Sequence, residues 1–444
     1  MKGPGVCTVG QRHAVLVAEV PGSARTRHAV SMQTARWTVP AAVAAALLAA
    51  EAAVVLLRPR EGILEPVPVD ASAYFTPAEI ERGSAFRGPQ RAIGLATLAV
   101  EGAALALLVA RPPEALRGRR RRPVVASAAA GAALSAGLGA VAVPLQAVAR
   151  RRAVDVGLVT QSWRGWAGDL AKSSAIGAVF AGAGAAAGVA LMRRFPRSWW
   201  APASGALVGF AVAGTQLGPV VLDPLFNRFT PLPEGETRSD VLELAERAGV
   251  DVGEVYEVDA SRRTTGANAY VNGLGPTKRV VLYDTLLERF ERDEVRLVVA
   301  HELAHVRHRD VAHGLLYLAL VAPAAMLAAA ETTRWLAPGG DGPEDAGPET
   351  LPALALSLTA LGMATTVIAN QLSRRIEGRA DAYALRLTGA TEPFIGFERR
   401  ITIQNVGEPD PPAWHQALFG THPTTAQRIG TALRFQRGGA SGGD

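Results

Sequence analysis

Seven segments of this 444-residue chain are apolar over about 20 residues, the length that a helix needs to cross a membrane. Water is absent from the hydrocarbon core, so only helices that satisfy their own backbone hydrogen bonds are stable there. The segments are 38–57, 92–110, 123–148, 174–192, 199–222, 311–330 and 351–372. The sequence therefore predicts an all-α multi-span membrane protein with about seven transmembrane helices.

Two acidic residues, Glu51 and Glu101, interrupt the first two apolar segments. A charge at membrane depth is costly, so each side chain is expected to face the interior of the bundle or a water-filled cavity. Two interpretations fit this placement equally well. Each residue either pairs with a neighbouring helix or contributes to a hydrated chamber.

A polar block separates the fifth and sixth apolar segments and is predicted to be a small α+β domain. Within it, 223–227 and 231–235 are predicted loops, 237–248 fits a helix, and 255–258, 268–271 and 279–283 are short strand candidates. Asp293 is the predicted N-cap of the helix that follows. The predicted organisation is a disordered tail 1–36, five spans in 37–222, the soluble block 223–310, two spans in 311–372, C-terminal helices in 373–435 and a disordered tail 436–444.

The sequence His301-Glu302-Leu303-Ala304-His305 lies on the last helix of this block. Histidines four residues apart lie on one helix face, so both imidazoles can reach one Zn²⁺. A glutamate between them lies close to the same site and can serve as general base toward water. The competing interpretation is a solvated helix face that carries this short pattern by chance.

Zinc in a hydrolase is usually held by three protein ligands. The extended pattern with a third histidine on the same segment is absent, so the third ligand must come from elsewhere. Glu377 is the best candidate, and Asp381 lies four residues later on the same helix face, where it can accept a hydrogen bond from a ligating histidine. The alternative is an ordinary surface helix whose acids pair with Arg374 and Arg379.

Five segments together resemble one family. Residues 370–381, Asn-Gln-Leu-Ser-Arg-Arg-Ile-Glu-Gly-Arg-Ala-Asp, are similar to its Asn-x-x-Ser-Arg-x-x-Glu-x-x-Ala-Asp signature. The other similar segments are 225–233 (Leu-Phe-Asn-Arg-Phe-Thr-Pro-Leu-Pro), 268–270 (Asn-Ala-Tyr), 278–287 (Lys-Arg-Val-Val-Leu-Tyr-Asp-Thr-Leu-Leu) and 421–423 (Thr-His-Pro). The chain resembles the integral-membrane zinc metalloendopeptidases typified by CaaX prenyl protease 1, which have a zincin-like catalytic domain.

This resemblance implies a site with one Zn²⁺ per chain, held by His301, His305 and Glu377. Glu302 would take the proton of the attacking water and later pass it to the leaving amine. His422 would donate a hydrogen bond to the oxyanion of the tetrahedral intermediate. Without the family context, a histidine before a proline in a polar loop is more typical of a helix boundary.

The resemblance also implies a substrate-binding strand, Asn268-Ala269-Tyr270, whose free edge pairs with a polypeptide in extended conformation. An ordinary hairpin strand is the alternative. The eukaryotic relatives cut prenylated proteins, which a bacterium is not expected to make, so we expect general cleavage of membrane-associated or misfolded polypeptides. A catalytically silent scaffold or chaperone of the same fold, and a transporter with an accidental motif, are the competing functions.

The charges predict a lipid bilayer as partner and no nucleic acid. The chain carries 46 Lys+Arg against 40 Asp+Glu, and the arginines flank apolar segments instead of forming one basic stripe. The acidic loop 331–350 is predicted to lie outside, and the arginine-rich zinc-motif helix inside. The expected location is a bacterial plasma membrane with a cytoplasmic catalytic face. The arginine-rich loop 111–122 conflicts with this orientation, so either one segment does not cross or the charge rule fails there.

Overall fold

Helices dominate the computed structural model, which describes residues 23–117, 121–272, 278–337 and 342–440. Seven of its helices are long and apolar enough to cross a membrane, as the sequence predicts. The helices are α1 (Ser23–Leu57), α2 (Pro77–Ala110), α3 (Pro123–Asp155), α4 (Trp163–Arg194), α5 (Trp200–Leu217), α6 (Asp223–Phe226), α7 (Glu236–Ala248), α8 (Asp284–Arg289), α9 (Arg292–Arg307), α10 (Asp310–Leu336), α11 (Leu351–Thr388), α12 (Thr391–Gln404), α13 (Ala413–Phe419) and α14 (Thr425–Ala440).

A small sheet accompanies the helices and gives the soluble block its α+β character. Its strands are β1 (Phe229–Pro231), β2 (Glu254–Val258), β3 (Ala269–Asn272) and β4 (Arg279–Tyr283), in the order β1-β2-β4-β3. The β2–β4 pair is parallel and the two outer pairs are antiparallel. Strand β3 therefore forms one edge of the sheet.

Three local predictions in this block need correction. Residues 223–227 were expected to be a loop, but Gly218–Leu222 and α6 continue the fifth span through a π-helical turn. Pro231, predicted to begin a second loop, instead ends β1, whose backbone pairs with β2. The N-cap of α9 is Glu291, not Asp293: Glu291 and Glu294 form a reciprocal capping box that satisfies backbone N–H groups at the helix start.

One face of the sheet packs on α7 and α9 and forms the main apolar core. Its fully buried members include Leu244 of α7, Val255 and Leu282 of the sheet, and Leu303 of α9. Leu303 lies inside the zinc motif, so burying its side chain turns the opposite face of α9 outward. That face carries His301, Glu302 and His305.

Helix α11 connects the membrane to the site because the last span continues without a break into the catalytic region. It packs against both α9 and α10. Within the membrane portion, Gln371 of α11 donates a hydrogen bond of 3.5 Å to Glu51 of α1. Glu51, which interrupts the first apolar segment, therefore contacts a neighbouring helix.

The loop between the first two spans lies beside the catalytic helices. The backbone N–H of Val67 donates to the carbonyl of Gly430 in α14 at 3.2 Å. Alternate crossings then place the described part of the arginine-rich loop, 111–117, on the side opposite the catalytic domain. The two helices that flank this loop are both long and apolar enough to cross a membrane.

The two predicted disordered tails differ from the structure where it describes them. Helix α1 begins at Ser23, so residues 23–36 are helical, and α14 continues to Ala440 past the expected end at 435. Residues 1–22 and 441–444 lie outside the described residues.

A glycine of α2 allows the close approach of the second span to the catalytic domain. A Cβ on Gly83 would clash with the carbonyl oxygen of Gly407, whereas a Cβ on Gly94 in the same helix would meet nothing within 4 Å. We expect Gly83→Ala to destabilise the protein by about 1–3 kcal/mol through overpacking. Thermal unfolding in detergent measures this, with Gly94→Ala as the matched control. Equal melting temperatures of the two variants would contradict the packing.

Candidate metal centre

Helices α9 and α11 bring three potential metal ligands together. His301 Nε2 lies 3.3 Å from His305 Nε2 and 3.2 Å from Glu377 Oε2, and His305 Nε2 lies 3.8 Å from Glu377 Oε1. One ligand atom from each residue lies within 4.8 Å of the others. The two histidines come from adjacent turns of α9, and the carboxylate comes from α11, which the core holds against α9. Two nitrogens and one oxygen therefore face a common point.

Each histidine has a carboxylate behind it. Asp381 Oδ1 lies 2.9 Å from His301 Nδ1, and Asp310 Oδ2 lies 2.9 Å from His305 Nδ1. A carboxylate at Nδ1 favours the tautomer that carries its hydrogen there, which leaves the Nε2 lone pair free. Both imidazoles are therefore oriented to offer Nε2 to the same point.

Arginines hold these carboxylates in place. Arg428 of α14 donates to Asp381 through Nε at 2.9 Å and also pairs with buried Glu398 at 2.7 Å. Arg379 donates to Asp310 at 2.5 Å. Asp381 is among the residues predicted from the sequence, whereas Asp310 and Arg428 are not. Asp310 could have been found because it follows the motif directly, whereas nothing in the local sequence links Arg428 to the motif.

A sharp turn brings Asp310 back to the motif. Arg309 adopts a left-handed conformation with φ of 57°, which ends α9 and starts α10. Non-glycine residues adopt this conformation at an energetic cost, and such strain is concentrated at functional sites. Here it lets the first residue of α10 reach His305 on the preceding helix.

The electrostatics of the site favour a bound cation. Burial disfavours the charged imidazolium, but Asp381 and Glu377 outweigh it and raise the pKa of His301 to about 10. Burial raises the pKa of the Glu302 carboxyl, against the opposing effects of His301 and His305 and a backbone hydrogen bond from Val271. The carboxylates around the two imidazoles thus attract positive charge, either a proton or a metal ion.

His422 reaches the site from the loop between α13 and α14. Its Nε2 lies 3.3 Å from Glu377 Oε2, and its Nδ1 lies 2.8 Å from Thr421 Oγ1. Its side chain is 58% exposed, while those of His301 and Glu377 are each 12% exposed. His422 is therefore the accessible member of the cluster, at its mouth.

The predicted substrate strand lies beside α9, shifted by one residue. Ala269 and Tyr270 belong to β3, but Asn268 precedes it and uses its carbonyl to accept the N–H of Tyr283. The side chain of Ala269 is buried in the core, and that of Tyr270 packs edge-on to Tyr283 on the other face. What β3 can offer to a ligand is therefore its backbone edge, which Val271 brings next to Glu302.

These residues fit a zinc ion. Two imidazoles and one carboxylate are a standard donor set for catalytic zinc, which leaves one position open. The Glu377 Oε2 atom is buried and has no hydrogen bond of good geometry among the described residues, although two histidine nitrogens approach it. A cation between these atoms would satisfy it.

Comparison with known proteins also indicates a metalloprotease. Residues 231–435 match the model of peptidase family M48. The uncharacterized metalloprotease YhfN of Bacillus subtilis is 31% identical over 296 residues, which cover 65% of this chain and 69% of that protein. CAAX prenyl protease 1 of Saccharomyces cerevisiae is 29% identical over 235 residues, 49% of this chain and 51% of that protein. The crystal structure of S. mikatae Ste24p matches with a TM-score of 0.69 at 20% identity, over 90% of this chain and 99% of that chain.

The fold and the clustered side chains define an integral-membrane metalloprotease. The chain belongs to peptidase family M48, and its fold matches that of Ste24p. It spans about half the length of the CAAX prenyl protease 1 relatives that it matches.

The carboxylate behind His305 gives a direct test of how the ligands are oriented. We expect Asp310→Asn to weaken zinc binding by about 10- to 100-fold, because the amide no longer favours the required histidine tautomer. Competition with a zinc-chelating dye measures the affinity. Asp345→Asn, in the loop on the far side of α10, is the control for loss of one carboxylate, and equal affinities in both variants would exclude this role for Asp310.

Proposed function

We propose that the protein is a zinc-dependent endopeptidase that hydrolyses peptide bonds in membrane-associated polypeptides. The observation that carries this proposal is the convergence of His301, His305 and Glu377 within 4.8 Å, next to Glu302 on the same helix. A single ion per chain fits this donor set. His301, His305 and Glu377 are the three proposed zinc ligands, and Asp381 and Asp310 are the groups that orient the histidines.

Glu302 is the proposed general base. Bound zinc supplies Lewis-acid chemistry, polarising the scissile carbonyl and making water a better nucleophile. Glu302 accepts the proton of the attacking water and then delivers it to the departing amine nitrogen. Its raised pKa makes the carboxylate a stronger base toward water, while the carboxyl group stays acidic enough to protonate an amine.

His422 is the proposed donor to the oxyanion. A hydroxyl hydrogen donated by Thr421 to Nδ1 leaves the ring hydrogen on Nε2, the atom that points toward Glu377. Nε2 can therefore donate to the negative charge that develops on the carbonyl oxygen. Such donors typically contribute about 100- to 1,000-fold to the rate.

The edge of β3 is the proposed place for the substrate backbone, around Asn268, Ala269 and Tyr270. An extended peptide added to this edge would pass directly beside Glu302. The chain also has seven helices long and apolar enough to cross a membrane, which supports polypeptides that are themselves membrane-associated as substrates. The acidic loop 331–350 and the arginines near α9 favour a plasma membrane with the catalytic side in the cytoplasm.

Metal removal and restoration test the proposal. We expect purified protein in detergent to cleave an extended, quenched fluorescent peptide, to lose this activity with a chelator and to recover it when zinc is added. The loss follows because the three proposed ligands alone leave water unpolarised. Cleavage that persists in excess chelator would contradict the mechanism, and a zinc-loaded protein without any cleavage would support a silent scaffold.

A further inference from the structure

A cavity of about 850 Å³ lies on the sheet face opposite the main core. It is open to solvent on one side, and its lining comes from the start of α4, the segment 224–229, the loop at Arg262 and Tyr256 of β2. Strand β1 contributes Phe229 to the lining, whereas β3 and the metal centre lie at the other edge of the sheet. None of the proposed catalytic residues lines this cavity.

The cavity is strongly basic. Its cationic lining residues are Lys172, Arg228, Arg262, Arg263 and Arg279, and Asp169 is the carboxylate in the lining. Just outside, Asp223 pairs with Arg279 at 3.2 Å and Asp259 pairs with Arg262 at 3.3 Å. Five cations against three carboxylates leave a surplus of two positive charges, which favours an anionic ligand.

Three of these cations have exposed side chains. Arg228 is exposed, and among the described residues its guanidinium has no ion-pair or hydrogen-bond partner; its backbone N–H donates to Asp259 at 2.8 Å. The Lys172 side chain is 53% exposed and lies 5.8 Å from the centre of the Phe226 ring, and its Nζ contacts Asp169 at 3.4 Å and the carbonyl of Leu225 at 3.3 Å. The Arg262 side chain is 57% exposed and pairs with Asp259, while Arg263 and Arg279 pair with Asp169 and Asp223. Arg228 is therefore the cation most able to turn toward a ligand, and the long contacts of Lys172 leave it able to join.

The cavity lies where two spans meet the membrane surface. The span Trp163–Arg194 begins at it, and the span Trp200–Phe226 ends at it. Tryptophans are enriched at the level of lipid headgroups, and Trp163 and Trp166, an edge-to-face pair, are the sequence neighbours of the lining residues Ser162 and Gly165. Exposed Leu225 and the ring of Phe226 give the wall an apolar part. A lipid placed here would have its phosphate beside the cations and its glycerol against apolar groups.

We propose that this cavity binds the phosphate of an anionic phospholipid headgroup. Arginine side chains recognise phosphate oxygens with paired hydrogen bonds, and basic pockets between membrane helices are typical headgroup sites. The bound lipid would connect the outer face of the sheet to the ends of the fourth and fifth spans. The substrate strand is at the opposite edge, so the ligand is a lipid and not the polypeptide substrate.

Lipid retention in a neutral detergent tests the proposal, because no membrane surface potential acts there. Phosphatidylglycerol is titrated into the delipidated full-length protein, and bound lipid is counted by native mass spectrometry. We expect the Lys172→Gln/Arg228→Gln variant to bind about 10-fold more weakly, the effect of losing two exposed charge contacts to one phosphate. The control is Arg151→Gln/Arg164→Gln, which removes two exposed arginines near the same membrane surface but outside the cavity; we expect wild-type binding.

Further arms identify the ligand. Phosphatidylcholine should bind much more weakly than phosphatidylglycerol, and inorganic phosphate should compete if the site recognises phosphate alone. The single variant Arg228→Gln, at an exposed side chain, preserves the test if the double variant does not fold. Equal losses in cavity and control variants, or equal binding of both lipids, would overturn the proposal. If the Lys172→Gln/Arg228→Gln variant has a raised KM for peptide cleavage in lipid-free detergent, the cavity instead binds the substrate.

Discussion

Glu302→Gln is expected to keep its zinc and to lose about 100- to 10,000-fold of its peptidase activity. The amide has nearly the same shape as the carboxylate but cannot accept the proton of the attacking water. The metal ligands are untouched, so zinc content should match that of the unmodified protein. Cleavage of a quenched fluorescent peptide gives the rate, and elemental analysis gives the zinc content.

The control for this variant is Glu288→Gln, at an exposed position of α8 in the same block. It removes the same charge without approaching the ligands, so its rate should be unchanged. Equal cleavage by the Glu302→Gln and unmodified proteins would remove Glu302 from the mechanism. Loss of zinc together with activity would show that Glu302 acts on the metal and not on the proton.

Glu377→Gln is expected to lose zinc. The amide is neutral and a weaker ligand, and Glu377 is the one carboxylate in the three-residue donor set. The loss in zinc affinity should exceed the about 10- to 100-fold typical of a group that only orients a ligand. Equilibrium competition with a chelating dye measures it.

The matched control is Glu392→Gln, an exposed acid at the start of α12. Both variants should elute from size exclusion as the unmodified protein does, which separates metal loss from misfolding. Undiminished zinc in Glu377→Gln would remove this residue from the ligand set and leave the third ligand unassigned.

The parts of the fold that the sequence predicts are those with a strong local signal. Each apolar run of membrane length became a spanning helix, and the helix around Leu244 follows from its periodicity. The sequence does not predict strand β1, because this strand is only three residues long and ends at Pro231. It is stabilised by pairing with β2. The continuation of the fifth span through α6 was missed because Pro224 suggested a loop, although a proline is tolerated at the start of a helix.

The residues of the candidate site also differ in how far the local sequence predicts their positions. The spacing of His301 and His305 is a local property of one helix, so their proximity is predictable. Glu377 could be proposed from chemistry and resemblance, but its approach to α9 depends on how two distant helices pack. Arg428 contacts Asp381 from α14, and no local pattern indicates this contact. Some of the groups that position the ligands lie on distant elements. Their contacts are therefore visible in the structure but not predictable from the sequence.

X-ray absorption at the zinc edge tests the central claim most directly. The account predicts one zinc per chain with two imidazole nitrogens and a carboxylate oxygen at about 2.0–2.2 Å, and loss of one nitrogen in the spectrum of His305→Ala. A purified, folded protein that takes up no zinc would contradict the account. So would zinc whose spectrum is unchanged by both His305→Ala and Glu377→Gln.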